Sequence, residues 1–248
     1  MVRLCLQLEE EQAARYREAL RRIRDVEVTD SLAESHAVIT DQLAVAQSAT
    51  RALWLPSGSA VPDEVHIMPA AEWRFRPSLQ VIADRLAQGK LGAAGLLRIH
   101  RWIAPTNLVA DLDIACWLFS DEPDSVYALD RPGYLQVHLG FEERGMAIVD
   151  HVSDSKSRES YESLTIIGGN GAAYADDHHN TNLLYSSSGC QGRTVSEIDS
   201  GLVGMLNVFV SAVRDGRGYP VTLADLKSAD AVRRRVLESA ETKKVLST

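Results

Sequence analysis

Residues 105–119, PTNLVADLDIACWLF, are the stretch on which the reading of this chain turns. Leu108, Leu112, Ala115, Cys116 and Phe119 recur at the three- and four-residue spacing of one helix face, and Asn107 stands where its side chain can cap the first turn. The spacing predicts a helix packed into a core. Upstream, residues 73–102, WRFRPSLQVIADRLAQGKLGAAGLLRIHRW, read as a second helix with Leu79, Ile82, Ala83 and Leu86 on its apolar face, ended by Gly89 and followed by a strand.

Downstream the period changes from helical to alternating. SVYAL, GYLQVHLGFEE, GMAIVDHVS, ESLTIIGG and GAAYAD read as strands separated by DRPG, EERG and GGNG turns, which predicts a mostly antiparallel open sheet. Towards the N-terminus, Val2–Leu8 is a short apolar strand. It leads into a helix whose Ala13, Tyr16, Ala19, Leu20 and Ile23 share one stripe. A strand at Val26 and Val28, HAVIT, a short helix within residues 42–50, ALWL and VHIM follow. Strands alternating with helices mean a parallel sheet with right-handed crossovers. The expected fold class is therefore α/β: an abbreviated Rossmann-like parallel domain over residues 1–73, then an α/β domain with a large, mostly antiparallel open sheet over residues 74–248. The final helices are expected to return to the first domain.

The central stretch and its flanks resemble the middle of the glucose-fructose oxidoreductase / inositol dehydrogenase / MocA family. The closing segment, VGMLNVFVSAVRDGRGYPVTLADLKSADAVRRRVLESAETKKV, is similar to that family's last two helices and the R-x-G-R-x-x-P-V turn between them. The resemblance implies a dinucleotide domain followed by an antiparallel sheet domain. It also implies a catalytic helix with a pattern like D-x-x-x-H-D-x-D-x-x-x-W-L, in which the His handles a substrate proton. Matching DLDIACWL to that pattern places Ala110 at the His and Thr106 at the Asp. The family's E-K-P, whose Lys sits near nicotinamide and substrate, corresponds to Trp54-Leu55-Pro56, so Leu55 replaces the Lys. Lys90 belongs to the G-K-L-G turn and is no substitute for it.

A dinucleotide site of the usual kind needs G-x-G-x-x-G between the first strand and helix, so that backbone can approach the pyrophosphate at the positive helix end. Here the turn is Gln7-Leu8-Glu9-Glu10-Glu11, with no glycine and three carboxylates where phosphate would sit. Asp30 stands about 20 residues further on, at the position of a ribose-binding acid, and is the one cofactor-binding candidate. The expectation is that no NAD or NADP binds. An atypical NAD(P)-dependent oxidoreductase acting on a sugar or cyclitol is the alternative.

Composition narrows the remaining classes. A hydrophobic share of 45% with 24% charged residues is that of a globular chain able to bury a core. A net charge of -8 and a pI near 5.4 argue against a nucleic-acid or anionic-membrane surface. Cys5, Cys116 and Cys190 form no C-x-x-C pair, so neither a disulfide framework nor a metal site is expected. No apolar run approaches membrane-spanning length, and the N-terminus turns charged after eight residues, so a cytoplasmic protein is expected.

Several polar clusters invite a functional reading. The glycines of Ile167-Gly168-Gly169-Asn170-Gly171 lie between two strands and read as a hairpin turn. Asp176-Asp177-His178-His179-Asn180 is the densest polar run. Adjacent strand residues point to opposite faces, so a surface loop or a polar ligand contact is preferred to a metal site. His138 and His151 lie on strands expected to neighbour one another and read as hydrogen-bonded strand histidines. The ligand-binding candidates are His100, Asp177, His178, Asn180 and Tyr185, with no catalytic residue assigned. Arg233-Arg234-Arg235 precedes Lys243 and Lys244 on the last helix, where Ala229, Val232, Val236 and Leu237 form an apolar stripe that suggests docking with a solvated basic face.

The expected role is a structural, regulatory or ligand-binding homologue that has lost dinucleotide binding and catalysis. Leu135, Val137 and Leu139 alternate with Tyr134, Gln136 and His138, and Phe141 is grouped with the latter, giving one aliphatic and one aromatic-polar strand face. The mixed face suits an isologous contact, so a homodimer through the C-terminal sheet is expected, with a related active subunit as the alternative partner.

Overall fold

The computed structural model describes residues 1–56, 61–102, 107–153, 161–176, 181–186, 189–194 and 200–247, with backbone alone for 176–194. The chain forms two compact units, Met1–Arg76 with Ile198–Lys227, and Pro77–Glu197 with Ser228–Thr248.

In the first unit, β1 (Val2–Gln7), β2 (Val26–Thr29), β3 (Ala37–Thr40), β4 (Ala52–Trp54) and β5 (Ile67–Pro69) form a wholly parallel sheet in the order β2-β1-β3-β4-β5. Strands β3, β4 and β5 are buried along their whole length. A parallel sheet is covered on both faces, so its strands read as continuous apolar runs rather than alternating ones. One face packs Val2, Leu4, Ile39, Leu53 and Met68 against residues of α1 (Glu10–Leu20) and α5 (Ser200–Asp215). The other packs Cys5, Val38, Ala52, Trp54 and Ile67 with Ala46 of α2 (Leu43–Ser48) and Leu223, the first residue of α6 (Leu223–Thr242).

The second unit carries a nine-stranded sheet. Its strands are β6 (Ala94–Trp102), β7 (Ser125–Arg131), β8 (Tyr134–Phe141), β9 (Gly145–Val152), β10 (Tyr161–Gly168), β11 (Gly171–Asp176), β12 (Thr181–Ser186), β13 (Gly189–Thr194) and β14 (Leu246–Ser247). They run in the order β13-β12-β11-β10-β6-β9-β8-β7-β14. All neighbours are antiparallel except β6 and β9, which run parallel. The G-G-N-G segment is a hairpin turn, with Gly168 paired to Gly171. Helices α3 (Pro77–Ala87) and α4 (Leu108–Phe119) contact β11 and β6, and the later turns of α6 bury Ala229, Val232 and Val236. The backbone N–H of Ala128 donates to Ser239 Oγ at 3.0 Å, so α6 completes the polar edge of β7 where β14 no longer pairs with it.

Two side chains depart from the sequence reading. Phe141 shares the parity of Val137 and Leu139, so it lies on the apolar face; it is buried and stacks on Phe119 with ring centroids 4.1 Å apart. The sequence reading placed it on the opposite, polar face. Leu237 is 51% exposed and does not belong to the docked stripe of α6, because one residue past Val236 it has turned about 100° around the helix axis.

The parallel β6–β9 pair approaches closely at its start. Gly145 has φ +140°, and a β-carbon there would lie 1.9 Å from the Gly95 carbonyl oxygen. Gly145→Ala is therefore expected to cost more than about 2 kcal/mol, through strained backbone and a backbone clash together. Gly89→Ala, at φ +68° with nothing within 4 Å, should cost about 1 kcal/mol. Urea denaturation of both variants compares the two values.

Candidate functional site

Strand alternation divides the polar groups of the larger sheet into two sets. The first is on the helix-covered face, where β10, β6 and β9 lie side by side and the register aligns Glu162 with Arg101 and Arg101 with His151. Above them the first turn of α4 delivers Asp111. Its N-terminus is positioned by Asn107, whose Oδ1 accepts the N–H of Ala110 at 3.2 Å, the cap that the sequence predicts.

Asp111 is 1% exposed. Its Oδ1 accepts from Arg101 Nη2 at 2.5 Å and Nε at 3.1 Å, and its Oδ2 faces His151 Nε2 at 2.8 Å. Arg101 also donates to Glu162 through Nη1. Burial works to raise the Asp111 carboxyl, but the hydrogen bond from His151 and the Arg101 guanidinium outweigh it and hold it below the ordinary carboxylate range. Because the ionised carboxylate only accepts, Nε2 of His151 carries the proton of this hydrogen bond. The set is a buried carboxylate–imidazole pair with a fixed guanidinium behind it, an arrangement able to orient an acid–base group.

The second set is on the open face. Asp150 accepts from Arg98 Nε at 2.7 Å and Gln136 Nε2 at 2.8 Å, and lies 3.8 Å from His100 Nδ1. His138 Nε2 is 3.0 Å from Gln136 Oε1. Burial acts to raise the Asp150 carboxyl, and the hydrogen bonds from Gln136 and Arg98 reverse its effect, so the group is held low.

The candidates drawn from the sequence are scattered among these features. His100 belongs to the open face, beside the Tyr161 ring. Tyr185 is described by its backbone in β12, where it pairs with Ala172 and Cys190. Asp177, His178, Asn180 and Thr106 lie outside the described residues. Ala110 is half-buried in the first turn of α4, and Leu55 packs at the margin of the first unit's apolar core. Asp30 is exposed just past β2. Among the described residues, no three His, Cys, Asp or Glu side chains are grouped as a metal site, and no helix is long and apolar enough to cross a membrane. Arg101, Asp111 and Glu162 were not singled out from sequence. The available signal was a pair of aspartates, Asp111 and Asp113, inside an otherwise apolar helix, since a buried carboxylate requires partners.

The first unit offers a different end. At the C-terminal edge of β1, Leu8 and Glu9 alone lead into α1, whose first turn carries Glu10 and Glu11; all three glutamates are exposed.

No family model matches the sequence, and no curated protein does. Solved structures do. The chain superposes on an oxidoreductase from Agrobacterium radiobacter, solved in complex with NAD+, L-tartaric acid and magnesium, with a TM-score of 0.82, 12% identity, and 99% and 98% of the two chains covered. A UDP-N-acetylglucosamine 3-dehydrogenase from Acidithiobacillus ferrooxidans gives a TM-score of 0.80 at 17% identity, with 97% and 98% covered. A myo-inositol dehydrogenase from Corynebacterium glutamicum gives 0.79 at 16%, with 100% and 98% covered. The chain thus has an oxidoreductase fold, a parallel sheet unit joined to a largely antiparallel one. More narrowly, the fold is that of the glucose-fructose oxidoreductase / inositol dehydrogenase / MocA type.

The turn between β1 and α1 contains no glycine. Pyrophosphate needs close backbone approach and the free positive end of the first helix. Leu8 and Glu9 form the turn after β1, and Glu10 and Glu11 stand in the first turn of α1.

The buried pair on the other unit gives a direct test. The lowered Asp111 carboxyl means that the unfolded chain takes up this proton at a higher pH than the folded chain does. Its stabilisation is therefore complete above the ordinary carboxylate pKa of about 3.9 and lost as pH falls through the lower folded value. Asp111→Asn, which removes one of the two carboxylates paired with the buried Arg101 guanidinium, is expected to cost about 1.5–3 kcal/mol at neutral pH. The gap to the parent should narrow below about pH 4. Chemical denaturation of the two proteins across that range measures both effects.

Proposed function

We propose that this chain is a homologue of its oxidoreductase fold that does not use a dinucleotide and acts as a structural, regulatory or ligand-binding protein. The observation that carries the reading is the first turn of α1, where Glu10 and Glu11 occupy the positive helix end and Glu9 precedes them without a glycine. Carboxylates there stabilise the helix and repel phosphate by the same dipole interaction. Leu55, at the position matched to the family's lysine, and Ala110, at that matched to its histidine, agree with this reading. Titration of the protein into NADH and NADPH, followed by nicotinamide fluorescence, is expected to give no saturable change. A micromolar dissociation constant for either nucleotide would overturn the proposal.

A second reading has its own support. The Arg101–Asp111–His151 set is an oriented acid–base group of the kind that proton transfer from an alcohol needs, and it would serve an oxidoreductase of sugars or cyclitols whose cofactor contacts differ from the usual ones. Nicotinamide-dependent oxidation of a polyol that disappears in His151→Asn would favour this reading over the first.

The assembly proposed is a homodimer through the open face of the larger sheet. Trp102, Tyr134, Met146, Ile167 and Tyr174 all point to that face and are 37–55% exposed, surrounding the Arg98–Asp150–Gln136 group. Aromatic and Met side chains around paired polar groups are the composition of an interface core and rim. Light scattering at micromolar concentration is expected to give twice the chain mass of 27.2 kDa. Tyr134→Asp should return the single-chain mass. A parent mass of one chain would leave a related subunit as the partner.

A further inference from the structure

Away from both polar sets, the second unit has a cleft of about 480 Å³ between the last turn of α3 and the last turn of α4. It exists because the residues facing it are small. Ala83 and Ala87 of α3, together with the Gly92–Ala94 segment, leave room beside Leu118 and Phe119 of α4. The volume lies within the range of small-molecule sites, about 300–1,000 Å³.

The charges around this cleft are uneven in their availability. Arg144 is engaged by the end of α4, donating to the Phe119 carbonyl at 2.6 Å and pairing with Asp121 at 3.4 Å. Asp84, exposed in the last turn of α3, has no side-chain partner among the described residues. Helix α3 also turns its C-terminal, partially negative end to this place, whereas that of α4 is capped by Arg144. Trp117 stands on the wall, and an indole ring attracts cations as well as apolar groups. An anionic ligand would meet an unpaired carboxylate and the negative end of α3, beside a guanidinium already held by the end of α4 and Asp121. A cation would meet a carboxylate with capacity to accept.

We propose that this cleft binds an amphipathic organic cation, with a primary ammonium group at Asp84 and an apolar body against Ala83, Ala87 and Leu118. The site is remote in function from any dinucleotide question, since all its residues belong to the second unit and none enters the reading of α1.

Isothermal titration calorimetry on the full chain tests it with two probes of similar shape and opposite charge, 2-phenylethylamine and 3-phenylpropanoate. The amine is expected to bind saturably in the millimolar range or tighter, by at least about tenfold over the carboxylate. Asp84→Asn should weaken the amine about tenfold while leaving the thermal midpoint unchanged, as befits an exposed side chain. Ala83→Leu, which fills the floor, should abolish binding. Absence of saturable amine binding, equal affinity for the two probes, or an unaltered amine affinity in Asp84→Asn would each refute the proposal. Because Asp84 is exposed, that variant remains informative even if Ala83→Leu does not fold.

Discussion

The pairing of the Asp111 carboxylate with Arg101 and His151 is the constraint around which the larger unit is arranged. A carboxylate at 1% exposure without partners would cost several kcal/mol, so the helix that carries it can dock only where a guanidinium and an imidazole await it. Those partners come from β6 and β9, and Glu162 of β10 holds the far side of Arg101, so a single polar set joins three adjacent strands and the covering helix. A slip of two residues in β6 would keep Leu97 and Ile99 on the covered face but carry Arg101 away from Asp111, which would be left with His151 alone. The set thereby selects one register among the several that Leu97 and Ile99 alone would tolerate.

The same alternation separates two chemistries within a few ångströms of strand. Arg101 and His151 face the helices, whereas their sequence neighbours His100 and Asp150 face the open side with Arg98, Gln136 and His138. Each face satisfies its own charges. Around the open-face group stand large side chains with substantial exposure.

In the first unit, what holds the sheet together differs from what lies at its edge. The order β2-β1-β3-β4-β5 and the helices on both faces depend on apolar burial, which Leu4, Ile39, Leu53 and Phe209 provide irrespective of any ligand. The edge of that sheet depends on other physics. Glycine and a bare helix terminus suit phosphate, whereas Glu9, Glu10 and Glu11 suit the helix itself.

Much of the architecture was legible in the linear chain, because periodicity is a local property. The helical spacing around Leu112, the Asn107 cap, the alternation of β7 to β11, the Gly168–Gly171 turn and the missing glycines after β1 are all consequences of neighbouring residues. Leu237 faces solvent instead of joining the docked stripe of α6, and Phe141 lies on the apolar face of β8, as its parity with Val137 and Leu139 requires. What the tertiary structure alone decided is which distant charges meet. Arg101, His151 and Glu162, separated by up to 61 residues, share one rung because β6 pairs with β9 in parallel and with β10 antiparallel, and α4 brings Asp111 to it. Sequence could mark Asp111 as a carboxylate in an apolar helix that must find a cation. Only the order of the strands determines which cation it finds, since that choice depends on packing between segments that carry no local record of one another.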